Sequence, residues 1–68
     1  MNFKEALQAL KKGKIIKRQY REAICVGSKS DTLFEAKYNQ TFKKFIKQKN
    51  AARLQIKDFE AEDWEVVE

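Results

Sequence analysis

Lys17, Arg18, Tyr20 and Arg21 set three cations around one aromatic ring within five residues. Guanidinium groups pair with phosphate through charge-assisted hydrogen bonds, and a neighbouring ring offers a face on which a base can stack. The alternative for the same residues is a Tyr20 in the core with solvated cations around it. A second basic cluster, Lys43, Lys44, Lys47 and Lys49, would follow a phosphate backbone if it lay on one face of a helix, or else form a plain solvated face. Carboxylates gather as Glu60, Glu62, Asp63 and Glu65, where they read as a solvated acidic edge rather than an acid/base pair. Asp58, Asp63 and their neighbours lack the spacing of a calcium loop.

Catalytic chemistry finds few other handles. The sequence has no histidine, so the usual general base and the Ser-His and Cys-His nucleophile pairs are missing. Gly13 and Gly27, the two glycines, are too far apart to build a phosphate-cradling loop. Cys25 is the single cysteine, which excludes a disulfide within the chain and argues against a closed zinc site. Within Ala23-Ile24-Cys25-Val26 it reads as a reduced core residue. The expectation is a binding protein, not an enzyme, with no cofactor and no metal.

The 68 residues form one domain, 1–68. A chain this short buries only about 60% of the surface its unfolded state exposes, so self-association into a homo-oligomer is expected to support the core. No apolar stretch is long enough to span a membrane, and the first residues lack an apolar signal core, so a cytoplasmic location is expected. Net charge is +5, unevenly spread: residues 1–57 carry all fifteen Lys and Arg against four acids, and residues 58–68 carry six acids and no base. An acidic end is expected to lie against basic neighbours, and a basic body attracts phosphates, free or in nucleic acid.

These side chains need elements to position them. Phe3, Ala6, Leu7 and Leu10 form an apolar stripe at helical spacing; Asn2 can cap it, Glu5 completes a capping box, and Gly13 suits its left-handed close. The spacing predicts a helix over 3–12. The period then becomes two: Ile16, Arg18 and Tyr20 on one side, Ile15, Lys17 and Gln19 on the other. A second strand, Ala23-Ile24-Cys25-Val26, follows a connection near 20–22 and ends at Gly27 and the polar turn Ser28-Lys29-Ser30-Asp31. Phe34, Ala36 and Tyr38 alternate, predicting a strand over 33–38. Tyr38, Phe42, Phe45 and Ile46 are spaced like a helix face, predicting a helix over about 41–49. Leu54 and Ile56 suggest a short strand, Asp58-Phe59-Glu60-Ala61 a tight turn or one helical turn, and Trp64-Glu65-Val66-Val67 a closing strand anchored by Trp64. The fold class is α+β: an N-terminal amphipathic helix packed on a small, mainly antiparallel sheet, with a second helix in the middle.

The opening Met1-Asn2-Phe3-Lys4-Glu5-Ala6-Leu7-Gln8-Ala9-Leu10-Lys11-Lys12-Gly13-Lys14, followed by Ile16-Lys17-Arg18, resembles a family of small phage and prophage proteins. The ending Asp58-Phe59-Glu60-Ala61-Glu62-Asp63-Trp64-Glu65-Val66-Val67-Glu68 resembles the close of the same family. Some members are Thoeris anti-defence proteins, non-enzymatic homo-oligomers that sequester a cyclic ADP-ribose type immune signal in pockets between subunits. Others are linked to capture of other cyclic nucleotides or to blocking a CRISPR nuclease. The resemblance spans 28 residues at the two ends. The middle departs: Tyr20 stands where the family usually has tryptophan, Arg21-Glu22 follow directly, and residues 33–50 match no family segment.

The resemblance implies a phage counter-defence protein that holds a cyclic nucleotide in the cytoplasm of its bacterial host. Arg18 and Arg21 would take phosphate and Tyr20 would stack. The alternative is a direct inhibitor that binds a host protein or nucleic acid through Lys43, Lys44, Lys47 and Lys49.

Overall fold

The structure, a computed structural model, describes residues 1–27 and 31–68. Helix α1 spans Phe3–Lys11, and strands β1 (Ile16–Lys17), β2 (Ala23–Val26), β3 (Leu33–Asn39) and β4 (Lys44–Ala51) follow. A short helix α2 (Ile56–Glu60) and strand β5 (Glu65–Val66) complete the chain. The fold is α+β. The five strands form one antiparallel sheet in the order β4-β3-β2-β1-β5.

Helix α1 begins where its capping box requires. The Asn2 side chain accepts from the Glu5 N–H at 2.9 Å, and the Glu5 carboxylate accepts from the Asn2 N–H at 3.1 Å. It ends at Lys12, after which Gly13 turns away at φ 83°. Nine residues are too few for a helix to persist alone in water, so packing holds it. Its stripe of Phe3, Ala6, Leu7 and Leu10 lies on Ile16, Ile24 and Trp64. Leu10 and Ile16 are fully buried, each worth about 1.5–3 kcal/mol of removed apolar surface.

The opposite sheet face holds a second, smaller core: Ala23, Cys25 and Ala36, flanked by Ile15, Phe34 and Phe45. No described helix is among the residues packed on it. The Phe45 N–H, on edge strand β4, donates to a Glu68 carboxylate oxygen at 2.7 Å, while the Glu68 carbonyl accepts from Ile15 N–H, extending the pairing of β1 with β5, the other edge strand. The two edges are thus joined through one residue. Cys25 is buried within this second core, as its apolar setting predicted.

The middle of the chain corrects two expectations. Residues 41–49 are not helical: they form a turn and most of β4, which pairs with β3 as Tyr38↔Phe45 and Ala36↔Lys47. The turn is fixed by the Asn39 side chain, which accepts from Phe42 N–H at 3.1 Å, and by Lys43 at φ 55°, a geometry no right-handed helix contains. β4 is an edge strand, solvated on much of both faces, so the buried-versus-exposed alternation that marks a strand is absent. Leu54 and Ile56 do not form a strand either. Ile56 opens α2, whose first turn is tied down by Asp58 accepting the Gln55 N–H at 2.7 Å. The strands at 33–38 and 23–26 and the closing strand do form, although β5 pairs only through Glu65 and Val66. The polar turn expected at 28–31 lies, except for Asp31, outside the described residues.

Candidate functional site

Sequence proximity placed Lys17, Arg18, Tyr20 and Arg21 together, but the fold sends them different ways. Strand β1 stops at Lys17, and the chain turns with the Arg21 N–H donating to the Arg18 carbonyl at 3.3 Å. Lys17 Nζ lies over the same carbonyl at 3.2 Å and does not line the cleft described below.

Arg18 reaches across to the acidic end. Its Nη1 donates to Asp58 Oδ1 and its Nε to Asp63 Oδ1, both at 2.7 Å. Arg21 donates through Nη2 to Asp58 Oδ2 at 3.0 Å and to the Arg53 carbonyl at 3.3 Å. Asp58, on the first turn of α2, is 1% exposed. Its backbone carbonyl accepts the Trp64 indole N–H at 2.9 Å.

Burial would push the Asp58 carboxyl up. The Gln55 N–H, the Arg18 hydrogen bond and the charges of both arginines outweigh this and hold it below the ordinary carboxylate range. The Arg18 hydrogen bond likewise holds Asp63 low, and Asp63 and Asp58 together raise Arg18 above its usual value. The anion that Arg18 and Arg21 hold is therefore the protein's own carboxylate. Asp58 and Asp63 are occupied as partners of arginine.

Tyr20 has the opposite fate. Its ring is 91% exposed, so it is not a core residue, and its backbone is left-handed at φ 63°. A non-glycine residue in that region carries strain of the order of 1–2 kcal/mol. At that exposure the side chain buries little surface against the described residues to offset it.

Beside Tyr20 opens a cleft of about 210 Å³ on the helix-bearing side of the sheet. Ile24, Leu54 and the edge of Trp64 make its apolar wall, with Arg21, Glu22, Glu35 and Arg53 around them. A shallower hollow of about 600 Å³, lined by Lys49, Asn50 and Ala51, shares Glu35, Ala52 and Arg53 with it. The two form one surface with Arg53 at the junction. Among the described residues no carboxylate lies within ion-pair distance of Arg53. Neither Glu35 nor Arg53 belongs to a motif in the sequence. Arg53 was signalled only by its place in residues 36–57, a stretch with seven cations and no acid.

The second basic cluster does not share a helix face. Lys43 is in the β3–β4 turn, and Lys44, Lys47 and Lys49 are on β4. Lys47 Nζ sits 4.4 Å from the centroid of the Phe34 ring, a cation–π contact. No helix among the described residues is long and apolar enough to cross a membrane. The chain matches no family model, no curated protein and no solved structure.

Proposed function

We propose that this protein is a phage counter-defence binding protein that captures a cyclic nucleotide immune signal and withholds it in the cytoplasm of the bacterial host, without catalysis. The reading rests on the resemblance of the two chain ends, and one structural observation supports it. Tyr20 is held in strained backbone, fully presented to solvent, at the rim of a cleft where Arg53 has no carboxylate within ion-pair distance among the described residues. Strain without a packing return is characteristic of residues kept for contact with something else.

Tyr20 stacks on the base, the apolar wall at Ile24 and Trp64 receives its edge, and Arg53 takes phosphate. Glu22 and Glu35 are placed to accept from ribose hydroxyls. Arg18 and Arg21 hold the turn in position through Asp58 rather than binding phosphate as primary ligands. Assembly into a homo-oligomer is part of the proposal: Ile56 and Phe59 leave apolar surface on α2 of the kind that subunit contacts bury.

The experiment is thermal unfolding with and without a panel of cyclic ADP-ribose isomers and cyclic dinucleotides. A ligand at 100 times its Kd stabilises by about 2.7 kcal/mol, a rise of roughly 10–20 °C for a domain of this size. Tyr20→Ala and Arg53→Ala should remove that rise. No rise with any compound, or a rise that both variants keep, would overturn the reading.

A further inference from the structure

The β3–β4 hairpin has chemistry that nucleotide capture at the Tyr20 cleft does not use. Between Ala36 and Ala51 it carries Lys37, Lys43, Lys44, Lys47 and Lys49 and no acid. Among the described residues none of these ammonium groups is in an ion pair. The Tyr38 and Phe42 side chains of the same hairpin are left 54% and 65% exposed. Cross-strand pairing sets Tyr38 beside Phe45 and Ala36 beside Lys47, with Lys47 over Phe34, while Lys37 and Lys44, paired with Ile46 and Asn39, lie on the opposite face, so the edge hairpin carries rings on one face and ammonium groups on both. Next to its turn the Phe45 N–H already holds a carboxylate oxygen, that of Glu68, at 2.7 Å.

We infer that the β3–β4 hairpin is a docking surface for single-stranded nucleic acid, with the lysines on phosphates and Tyr38 and Phe42 stacked on bases. Three features select this occupant. Every cation of the hairpin is lysine, a residue depleted at protein–protein interfaces, where arginine is enriched. Lysine serves phosphate well as a point charge. Solvent-facing rings among lysines match the stacking platforms that hold single strands without sequence preference, whereas the bases of a duplex offer no free faces.

The test is fluorescence anisotropy of a labelled twenty-nucleotide oligo-dT titrated with the protein, beside the same strand in a dA·dT duplex. If three to four phosphates are neutralised, log K falls against log salt with a slope of about −2 to −3, so binding weakens roughly 20–50-fold between 50 and 200 mM salt. Phe42→Ala should weaken binding at least about 5-fold and leave the slope unchanged, because a stack carries no counterion. Lys44→Gln with Lys47→Gln should bring the slope about 1.4 closer to zero, and Lys44→Gln alone, which disturbs no ring contact, about 0.7. No binding at 50 mM salt, tighter binding of the duplex, or a Phe42→Ala variant equal to the parent would overturn the inference. Tyr20→Ala should leave oligo-dT binding intact, which separates this surface from the nucleotide cleft.

Discussion

Removing the Asp58 carboxylate tests whether the arginines of the β1–β2 turn are structural. Asp58→Ala takes away the acceptor of Arg18 Nη1, Arg21 Nη2 and the Gln55 N–H at 2.7, 3.0 and 2.7 Å. Removing one partner of a buried ion pair costs about 3–5 kcal/mol. Here the arginine side chains keep 19% and 32% exposure and can partly rehydrate, so about 2–3 kcal/mol is the better figure. A chain of this length has a total stability of roughly 3–10 kcal/mol, so the loss is a large fraction. At about 4–8 °C per kcal/mol, the melting midpoint by circular dichroism at pH 7 should fall by roughly 10–20 °C.

The pH dependence has a definite sign. Asp58 has a lowered pKa in the folded state, so its contribution is present above the unfolded value near 3.9 and is lost as pH falls through the folded value. The parent should therefore lose stability steeply below about pH 4. Asp58→Asn, of similar shape but without charge, should be less stable at pH 7 and lose less than the parent on acidification. A melting midpoint for Asp58→Ala within about 2 °C of the parent would refute the structural role and return Arg18 and Arg21 to the pool of phosphate ligands.

Three further outcomes follow. Tyr20→Gly relieves the left-handed backbone at a side chain that is 91% exposed, so it should raise stability by about 1 kcal/mol in a urea melt while abolishing the ligand-induced thermal shift. Trp64→Ala opens a cavity beside Phe3 and leaves the Asp58 carbonyl without its indole donor; at about 3–5 kcal/mol it should leave the chain largely unfolded at 37 °C by circular dichroism, whereas Trp64→Phe should fold with a reduced midpoint. Burial pushes the Cys25 thiol up, with the nearby Lys47 charge only partly opposing it, so alkylation by iodoacetamide at pH 8 should be slow in the native protein and fast in denaturant.

The elements that could be read in the sequence are those whose signal is local. α1 declares itself through Asn2, Glu5, the apolar stripe and Gly13, all within one run of chain. β2 does so because Ala23-Ile24-Cys25-Val26 is buried on both faces. β4 could not be read: as a solvated edge strand it shows no alternation, and Tyr38, Phe42, Phe45 and Ile46 happen to fall at helical spacing. The site divides along the same line. Arg18, Tyr20 and Arg21 stand out as residue types, and the acidic end could be foreseen against basic neighbours. That Asp58 in particular is buried under both arginines depends on a contact about forty residues apart in sequence, which no spacing rule reaches. Arg53 and Glu35 are ordinary surface residues until the fold sets them beside Tyr20.

The placement of β5 has a consequence for how the molecule is made. β1, two residues long, sits between β2 and β5, and Ile16 faces Val66, a partner about fifty residues further along the chain. Trp64, which closes the α1 core, is equally late, and its N–H donates to the Met1 carbonyl at 3.1 Å. During synthesis α1 and the first hairpin therefore emerge with their apolar faces uncovered and wait for residues 64–66. A nascent chain stalled before that point exposes its strand edges and its core to whatever is nearby, so the tempo of translation and the availability of chaperones bear directly on the yield of native protein.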